Sequence, residues 1–545
     1  MTATTGGTAI EPAPVQRGRW IALLCVLFLA LVVRSAVVFA PPSDLFEKEQ
    51  VNQEELLRGI AAEELLEGPV APLLDYQVNH FWGGSLVVSF VAVPFYYVFG
   101  SRLVALRLVG VVFALLAVYC AFRLLDRFVS RKAAWIGALL LALSPPGYTY
   151  LTCMVFGTHM ESNALALALT WAYFEWRARG RSSVLGTVLL GVLSGFALWF
   201  GYGLLLVILL TALFEFIDDR WFWLRRRSVY WIAGFAVGFA PWILYGLQQG
   251  FRGLEVYDAG IFEHFVQGVT RGTAVDMRGV VRYSLFEKAW MVINVDLPEA
   301  LWFHHSLGIN ALDVGRGVLL GLLAIVIGVA WTTRRGVART VARAFGRGAS
   351  AGSTPLLAVF TLTFLVLYFA AYVASDFAIG PRGFVLNFRY LMPFWPFVAL
   401  AGGIGVAAMI ESRGFMRVAG IAGVLALCVL SSWSTIDRCR FETMEANWER
   451  PGMSETWFAR LVVLHFGTDA EKMTRVVENI EQQRTPEVQA RLFRMIGLGL
   501  RTFGRGDGEN KKEKARNVLY RRTLSELERR APPEYRALFA PAATN

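Results

Sequence analysis

The chain has 545 residues, of which 55% are hydrophobic and only 17% are charged, and its formal net charge is +11. This apolar content exceeds what a soluble domain can bury, so the composition excludes a soluble globular protein. The basic residues are concentrated in short loops between apolar segments, which favours control of membrane orientation over binding to nucleic acid.

A helix that crosses a bilayer needs roughly 20 apolar residues, and eleven segments approach or reach this length. The sequence therefore predicts an all-α polytopic membrane protein with a bundle of about eleven transmembrane helices. The predicted spans are 20–40, 103–122, 133–152, 162–176, 184–200, 203–216, 229–247, 317–331, 355–374, 390–410 and 418–433.

A twelfth apolar segment, from Gly83 to Gly100, is assigned by the distribution of charge. If this segment lies in the membrane interface, twenty Lys and Arg face the cytoplasm, whereas the short opposite loops hold only Arg382 and Arg389. If it crossed, every later loop would change side and the positive-inside rule would be broken. The predicted amino terminus is therefore cytoplasmic, and the segments expected on the outer side are 41–102, 153–161, 248–317, 375–389 and 434–545.

The outer segments hold most of the residues that are able to do chemistry. The stretch "NQEELLRGIAAEELLEG", residues 52–68, carries the adjacent carboxylates Glu54 and Glu55 on an amphipathic, helix-like pattern. Glu161 opens the apolar run 162–176, and Arg389 precedes the run 390–410. Each has a purely structural interpretation as well, because carboxylates are favoured at helix amino termini and arginines anchor helices at the interface.

Histidines in the outer segments do not form a zinc-binding pattern. His80, His159, His304 and His305 include no pair separated by four residues on one helix. We therefore expect no structural zinc.

Several motifs occur in a fixed order along the predicted outer face. The acidic pair begins fourteen residues before Gly68, and it is followed by the stretch "PLLDYQVNHFWGG" and by the interfacial segment. The stretch "GTHMES" then ends at Ser162, and the stretch "NFRYLMPFWPFVAL" covers residues 387–400. This order resembles the GT-C membrane glycosyltransferases, in particular the branch with the lipid A aminoarabinose transferase, the protein O-mannosyltransferases and the rhizobial lipopolysaccharide glycosyltransferases. The resemblance extends from Trp20 to about Trp433, although glutamates stand where that family usually has aspartates.

This resemblance implies an inverting glycosyltransferase that moves a sugar from a polyprenyl-phosphate donor to an acceptor at the outer face of the membrane. It implies that Glu54 is the catalytic base with Glu55 as its substitute, and that Glu161 orients the acceptor or holds Glu54. A divalent ion, Mg²⁺ or Mn²⁺, is an open expectation, with Glu54 and Glu161 as its ligands. The residues expected to bind the donor phosphate are Arg389, Tyr390, Arg34 and His80.

The acceptor is expected to be a cell-envelope glycan, a lipid or a protein, and the location to be the bacterial inner membrane with the active site facing the periplasm. The candidate residues on the acceptor side are His159, Glu263, His264, His304 and His305.

Two regions differ in composition, and they define the predicted domains. Residues 1–433 form the transmembrane glycosyltransferase-like domain, and residues 434–545 form a helical domain on the outer side. Two other functions stay open at this point. One is a transporter or flippase for a lipid-linked or anionic substrate, and the other is a scaffold without catalytic activity.

Overall fold

A computed structural model provides the structure of the protein. It describes residues 17–40, 53–69, 72–77, 83–181, 183–249, 251, 283–303, 312–325, 328–329, 353–375, 389–412, 414–439, 459, 462–463, 466–504 and 511–539. Within these ranges the regular elements are helices and none is a strand. The predicted all-α fold class is therefore confirmed.

The first half of the chain supplies the helices around the candidate site. They are α1 (Arg17–Phe39), α2 (Gln53–Glu67), α3 (Gly83–Phe99), α4 (Leu103–Phe128), α5 (Arg131–Ala142), α6 (Pro146–Cys153), α7 (Glu161–Ala178), α8 (Val184–Phe200), α9 (Leu205–Asp218) and α10 (Arg226–Gln249).

The second half contains the last membrane helices and the carboxy-terminal helices. They are α11 (Leu285–Met291), α12 (Leu297–Leu301), α13 (Ser353–Ala374), α14 (Phe394–Glu411), α15 (Phe415–Ile436), α16 (Ala470–Gln483), α17 (Pro486–Gly504), α18 (Lys511–Arg530) and α19 (Arg536–Phe539). A further helical stretch covers 312–325.

Six helices in the described ranges are long and apolar enough to cross a membrane: α1, α4, α10, α13, α14 and α15. Each coincides with one of the predicted spans. The spans predicted at 162–176, 184–200 and 203–216 fall on α7, α8 and α9, which are helical throughout but shorter or more polar. These helices define an integral membrane protein that crosses the bilayer several times.

The predicted span 133–152 is not one continuous helix. It is divided into α5 and α6, with a break at 143–145. Pro145 and Pro146 explain the break, because proline lacks an amide hydrogen and disfavours helical geometry in the residue before it. This pair of short helices replaces the single crossing expected from the apolar composition.

Close packing between α8 and α10 depends on glycines four residues apart on each helix. A Cβ added at Gly191 or Gly195 would lie 2.2 or 2.1 Å from a backbone oxygen of α10. A Cβ at Gly234 or Gly238 would lie equally close to α8. The two backbones therefore touch directly, as in membrane helix pairs with small residues at the contact.

Two apolar clusters organise the described residues. The larger cluster includes most of the membrane helices. The smaller one joins α2, α3 and α8 to the carboxy-terminal helices through residues such as Ile60, Leu86, Trp199 and Phe493. The α2 helix lies where these two clusters meet.

Candidate active site

Glu55 is a buried carboxylate that is fully engaged by the protein. Arg107 of α4 donates two hydrogen bonds to it, from Nε to Oε1 at 3.0 Å and from Nη2 to Oε2 at 3.1 Å. The Val155 amide adds a third, to Oε1 at 3.3 Å. Burying two charges is costly, and this bidentate geometry is the arrangement that best offsets the cost. Glu55 therefore anchors the first turn of α2 to α4 and to the loop after α6.

That loop, residues 154–160, lies directly on the amino terminus of α3. A Cβ at Gly84 would be only 1.7 Å from the carbonyl oxygen of Gly157, so no larger residue fits there. Gly157 itself has a φ of +80°, which favours glycine. These two glycines bring the loop and α3 together, and the loop leads into Glu161 at the start of α7.

Glu161 is 1% exposed, and neither of its carboxylate oxygens makes a hydrogen bond within the described part of the chain. Burial raises the pKa of this carboxyl to about 7, although the nearby amides of Glu161 and Gly157 and the charge of Arg58 favour the ionised form. The buried side chains of Ser85, Thr158 and Asn163 also have polar atoms without a hydrogen bond in the described ranges. Buried polar groups are normally paired, so this cluster has unused capacity to bind a polar ligand.

Arg389 and Tyr390 lie against the same loop, although they are more than 220 residues further along the chain. The Arg389 Nη2 group donates to the Tyr390 hydroxyl at 3.1 Å, and the guanidinium is 5.5 Å from the centre of the Phe156 ring. The rings of His159 and Tyr390 meet edge to face with their centres 4.8 Å apart. The structure thus brings His159, a candidate for the acceptor side, into contact with Tyr390 and close to Arg389, which are candidates for the donor phosphate.

The surroundings of His159 favour its neutral form. Burial lowers the pKa of its imidazole well below the usual range, and the positive charges of Arg389 and Arg58 lower it further. A neutral imidazole is able to accept a hydrogen bond as well as donate one.

Arg58 was missed by the sequence analysis. It is buried, its backbone oxygen accepts a hydrogen bond from Ser89 Oγ at 3.0 Å, and its Nε would be 3.1 Å from a Cβ at Gly157. The one available signal was its position as the only basic residue in the stretch 52–68. Its guanidinium supplies a second positive charge close to Glu161 and His159.

Arg34, a candidate for the donor phosphate, is engaged elsewhere. Its guanidinium donates at 2.9 Å to the backbone oxygens of Leu141 and Ala142, and it also reaches the hydroxyls of Thr152 and Ser144. The last carbonyls of a helix have no partner inside it, so Arg34 caps the carboxy-terminal end of α5. We therefore leave it out of the proposed phosphate site.

Several candidates fall outside the described residues or side chains. Glu54 lies in the first turn of α2, but its side chain is not described. The candidates that lie outside the described ranges altogether are His80, Glu263, His264, His304 and His305.

No three His, Cys, Asp or Glu side chains within the described ranges come together as a metal site. The unpaired oxygens of Glu161 suit a divalent cation as well as they suit a hydroxyl group. A metal held by Glu54 and Glu161 therefore stays a prediction.

The fold and the site together define a class. In its described residues this is a helical, polytopic membrane protein in which the carboxylate of Glu161 and the guanidinium groups of Arg58 and Arg389 lie around the loop 154–160. No protein-family model matches the chain, and no curated protein sequence matches it.

Solved structures with a similar fold do exist. The chain is similar to ArnT from Cupriavidus metallidurans bound to undecaprenyl phosphate, with 15% identity, 94% of this chain and 81% of that chain covered, and a TM-score of 0.46. It is also similar to the archaeal oligosaccharyltransferase AglB from Archaeoglobus fulgidus in complex with an inhibitory peptide and a dolichol-phosphate. For that structure the identity is 12%, 84% of this chain and 59% of that chain are covered, and the TM-score is 0.44. At these values the likeness concerns the fold alone.

Proposed function

We propose that this protein is an inverting glycosyltransferase that moves a sugar from a polyprenyl-phosphate-linked donor to an acceptor in the cell envelope. The observation that carries the proposal is the meeting of Arg58, His159, Glu161, Arg389 and Tyr390 around the loop 154–160. The proposed location is the bacterial inner membrane, with this group of residues on the periplasmic side.

The positively charged residues of this group, Arg389 and Arg58, suit the phosphate of a lipid-linked donor. Arg389 offers a planar fork of N–H groups that is able to bind phosphate through two hydrogen bonds, and the Tyr390 hydroxyl lies 3.1 Å from it. Arg58 adds a second guanidinium in a buried setting, where a charge acts more strongly than in water. Two fixed cations stabilise the negative charge that develops on the departing lipid phosphate.

The carboxylates of Glu54 and Glu161 suit activation of the acceptor. In the proposed reaction an acceptor hydroxyl oxygen attacks the anomeric carbon of the sugar, and its proton passes to the carboxylate of Glu54. The bond from the anomeric carbon to the phosphate oxygen breaks, and its electron pair leaves with the polyprenyl phosphate. Attack from the opposite face inverts the anomeric configuration. Glu55 is committed to Arg107, so Glu54 keeps the role of base, and Glu161 binds and orients the acceptor hydroxyl.

The test is release of polyprenyl phosphate by the purified protein from a panel of polyprenyl-phosphate sugars, with membrane extract as the source of acceptor. We expect Glu54→Gln and Glu161→Gln to abolish release. Glu411→Gln is the matched control, because Glu411 is an exposed glutamate at the end of α14 that pairs only loosely with Lys132. This control should release polyprenyl phosphate at the rate of the natural protein.

The same experiment separates the alternatives. Release that Glu54→Gln does not reduce would refute the assignment of the base. Tight binding of one donor without release, by the natural protein with every acceptor fraction, would instead support a transporter or scaffold.

A further inference from the structure

The α2 helix, which carries Glu54 and Glu55, is buried on two opposite faces. On one face, Glu55, Arg58 and Ala62 turn towards the membrane helices, at the spacing of three to four residues that one side of a helix requires. On the other face, Ile60 and Ala61 belong to the apolar cluster formed with the carboxy-terminal helices. An amphipathic helix at a membrane surface normally leaves one face in water, so this second face has a specific partner.

A buried ion pair reinforces the second face. Arg484, directly after α16, donates from Nη2 to Glu64 Oε1 at 2.5 Å, and the two side chains are only 8% and 6% exposed. The contact joins residues 420 positions apart in the chain. Exposed ion pairs contribute little to stability, but removing one partner of a buried pair leaves an uncompensated charge and is strongly unfavourable.

The backbone of Arg484 is also held in place by hydrogen bonds within the carboxy-terminal helices. Its backbone oxygen accepts a hydrogen bond from Gln489 Nε2 at 2.7 Å, and its amide donates to the carbonyl of Ile480 at 3.0 Å. The guanidinium is therefore presented from a fixed corner between α16 and α17, and it is poorly suited to follow Glu64 if α2 shifts.

We infer that the carboxy-terminal helices act as a clamp on α2, and that Arg484 is a positioning residue that fixes this helix, and with it the backbone at Glu54, beside the loop 154–160. The inference rests on the proposed function only for the consequence at Glu54. The contact by which the carboxy-terminal helices hold α2 is testable without any substrate.

The first test is amide hydrogen exchange in α2 of the purified full-length protein. In Arg484→Gln the Glu64 carboxylate stays buried without its cation, so exchange in residues 53–67 should become faster by on the order of a hundredfold, limited by global unfolding. The double variant Glu64→Gln with Arg484→Gln removes both charges and should return exchange to near the natural rate. Arg491→Gln is the control, because Arg491 forms an exposed pair with Glu487, with side chains 49% and 82% exposed.

The second readout is turnover of the donor identified above. If α2 positions the base, Arg484→Gln should lower kcat with little change in the KM for the donor, and the double variant should recover kcat. A general loss of folding would lower the yield of the single and the double variants alike and would not be reversed by the second substitution.

The outcomes distinguish the clamp from the proposed function. Faster exchange in α2 that the double variant reverses supports the clamp, even if the natural protein transfers no sugar, in which case the proposed function alone fails. Unchanged exchange in α2 of Arg484→Gln overturns the clamp, whether or not turnover is lost.

Discussion

The two adjacent glutamates of α2 should respond to mutation in different ways. In Glu55→Gln the Arg107 guanidinium stays buried but loses its anionic partner and its bidentate contact. Removal of one member of a buried ion pair typically costs about 3–5 kcal/mol, which corresponds to roughly two to almost four powers of ten in the ratio of folded to unfolded protein. Glu55→Gln should therefore act mainly on stability, whereas Glu54→Gln should act on turnover.

The half-life of the folded protein at fixed temperature is the suitable measure of its stability, because large membrane proteins commonly unfold irreversibly. The fraction of detergent-solubilised protein that stays monodisperse, followed over time, gives that half-life for each variant. We expect it to be much shorter for Glu55→Gln than for the natural protein. The variant Glu55→Gln with Arg107→Met removes both charges and should recover most of the loss, because a neutral pair avoids the uncompensated charge.

One result would refute this reasoning. If Glu55→Gln keeps the natural half-life but loses all turnover, then Glu55 is not an anchor and takes part in the chemistry itself. The assignment of Glu54 as the base would then be wrong.

Three further predictions concern the pocket and the packing around it. The pKa of Glu161 is raised from 4.5 to about 7, so turnover that needs its ionised form should increase as the pH rises through 7. The stability contributed by its neutral form is fully present below about pH 4.5 and is lost as the pH rises to and through 7, so half-lives at fixed temperature should shorten over this window in the natural protein but not in Glu161→Gln. A Cβ at Gly84 would lie 1.7 and 2.5 Å from two backbone oxygens, so Gly84→Ala should destabilise the protein by about 1–3 kcal/mol, which a shorter half-life at fixed temperature will show. Gly423→Ala, with open space around it, should keep the natural half-life. Arg389→Lys should raise the KM for the donor about tenfold or more, because hydrogen bonds to charged groups contribute about 1.5–3 kcal/mol. Arg417→Lys changes an exposed arginine of α15 and should leave this KM unchanged. A natural KM for the donor in Arg389→Lys would contradict a phosphate contact.

Local sequence patterns were sufficient for the helices and for part of the site. Long apolar runs locate the membrane helices because each must satisfy its own backbone hydrogen bonds in the bilayer. The motifs around His159 and Arg389 were selected separately, and the structure brings them into contact. The break between α5 and α6 was also visible in the Pro145–Pro146 pair, but the apolar composition outweighed it in the prediction of a single span.

The rest depended on contacts between distant segments, which a single sequence does not contain. Nothing near Glu55 indicates that Arg107, 52 residues later, will occupy its carboxylate. Arg34 has a side chain suited to binding phosphate, but its neighbours in space are the backbone carbonyls of α5. Arg58 was overlooked because a single arginine in an amphipathic helix is ordinarily a solvated charge.

The cap that Arg34 places on α5 has a consequence for how the chain enters the membrane. The chain is synthesised from its amino-terminal end, so α1 emerges before the groups that accept the Arg34 hydrogen bonds, which lie 107 to 118 residues later. Until those residues emerge, the Arg34 guanidinium lacks these acceptors, and its insertion costs at most the roughly 2.5–3.5 kcal/mol of an arginine at the centre of a membrane helix. The α1 helix therefore becomes more stable in the membrane once α5 and α6 are in place, because they supply the acceptors for Arg34.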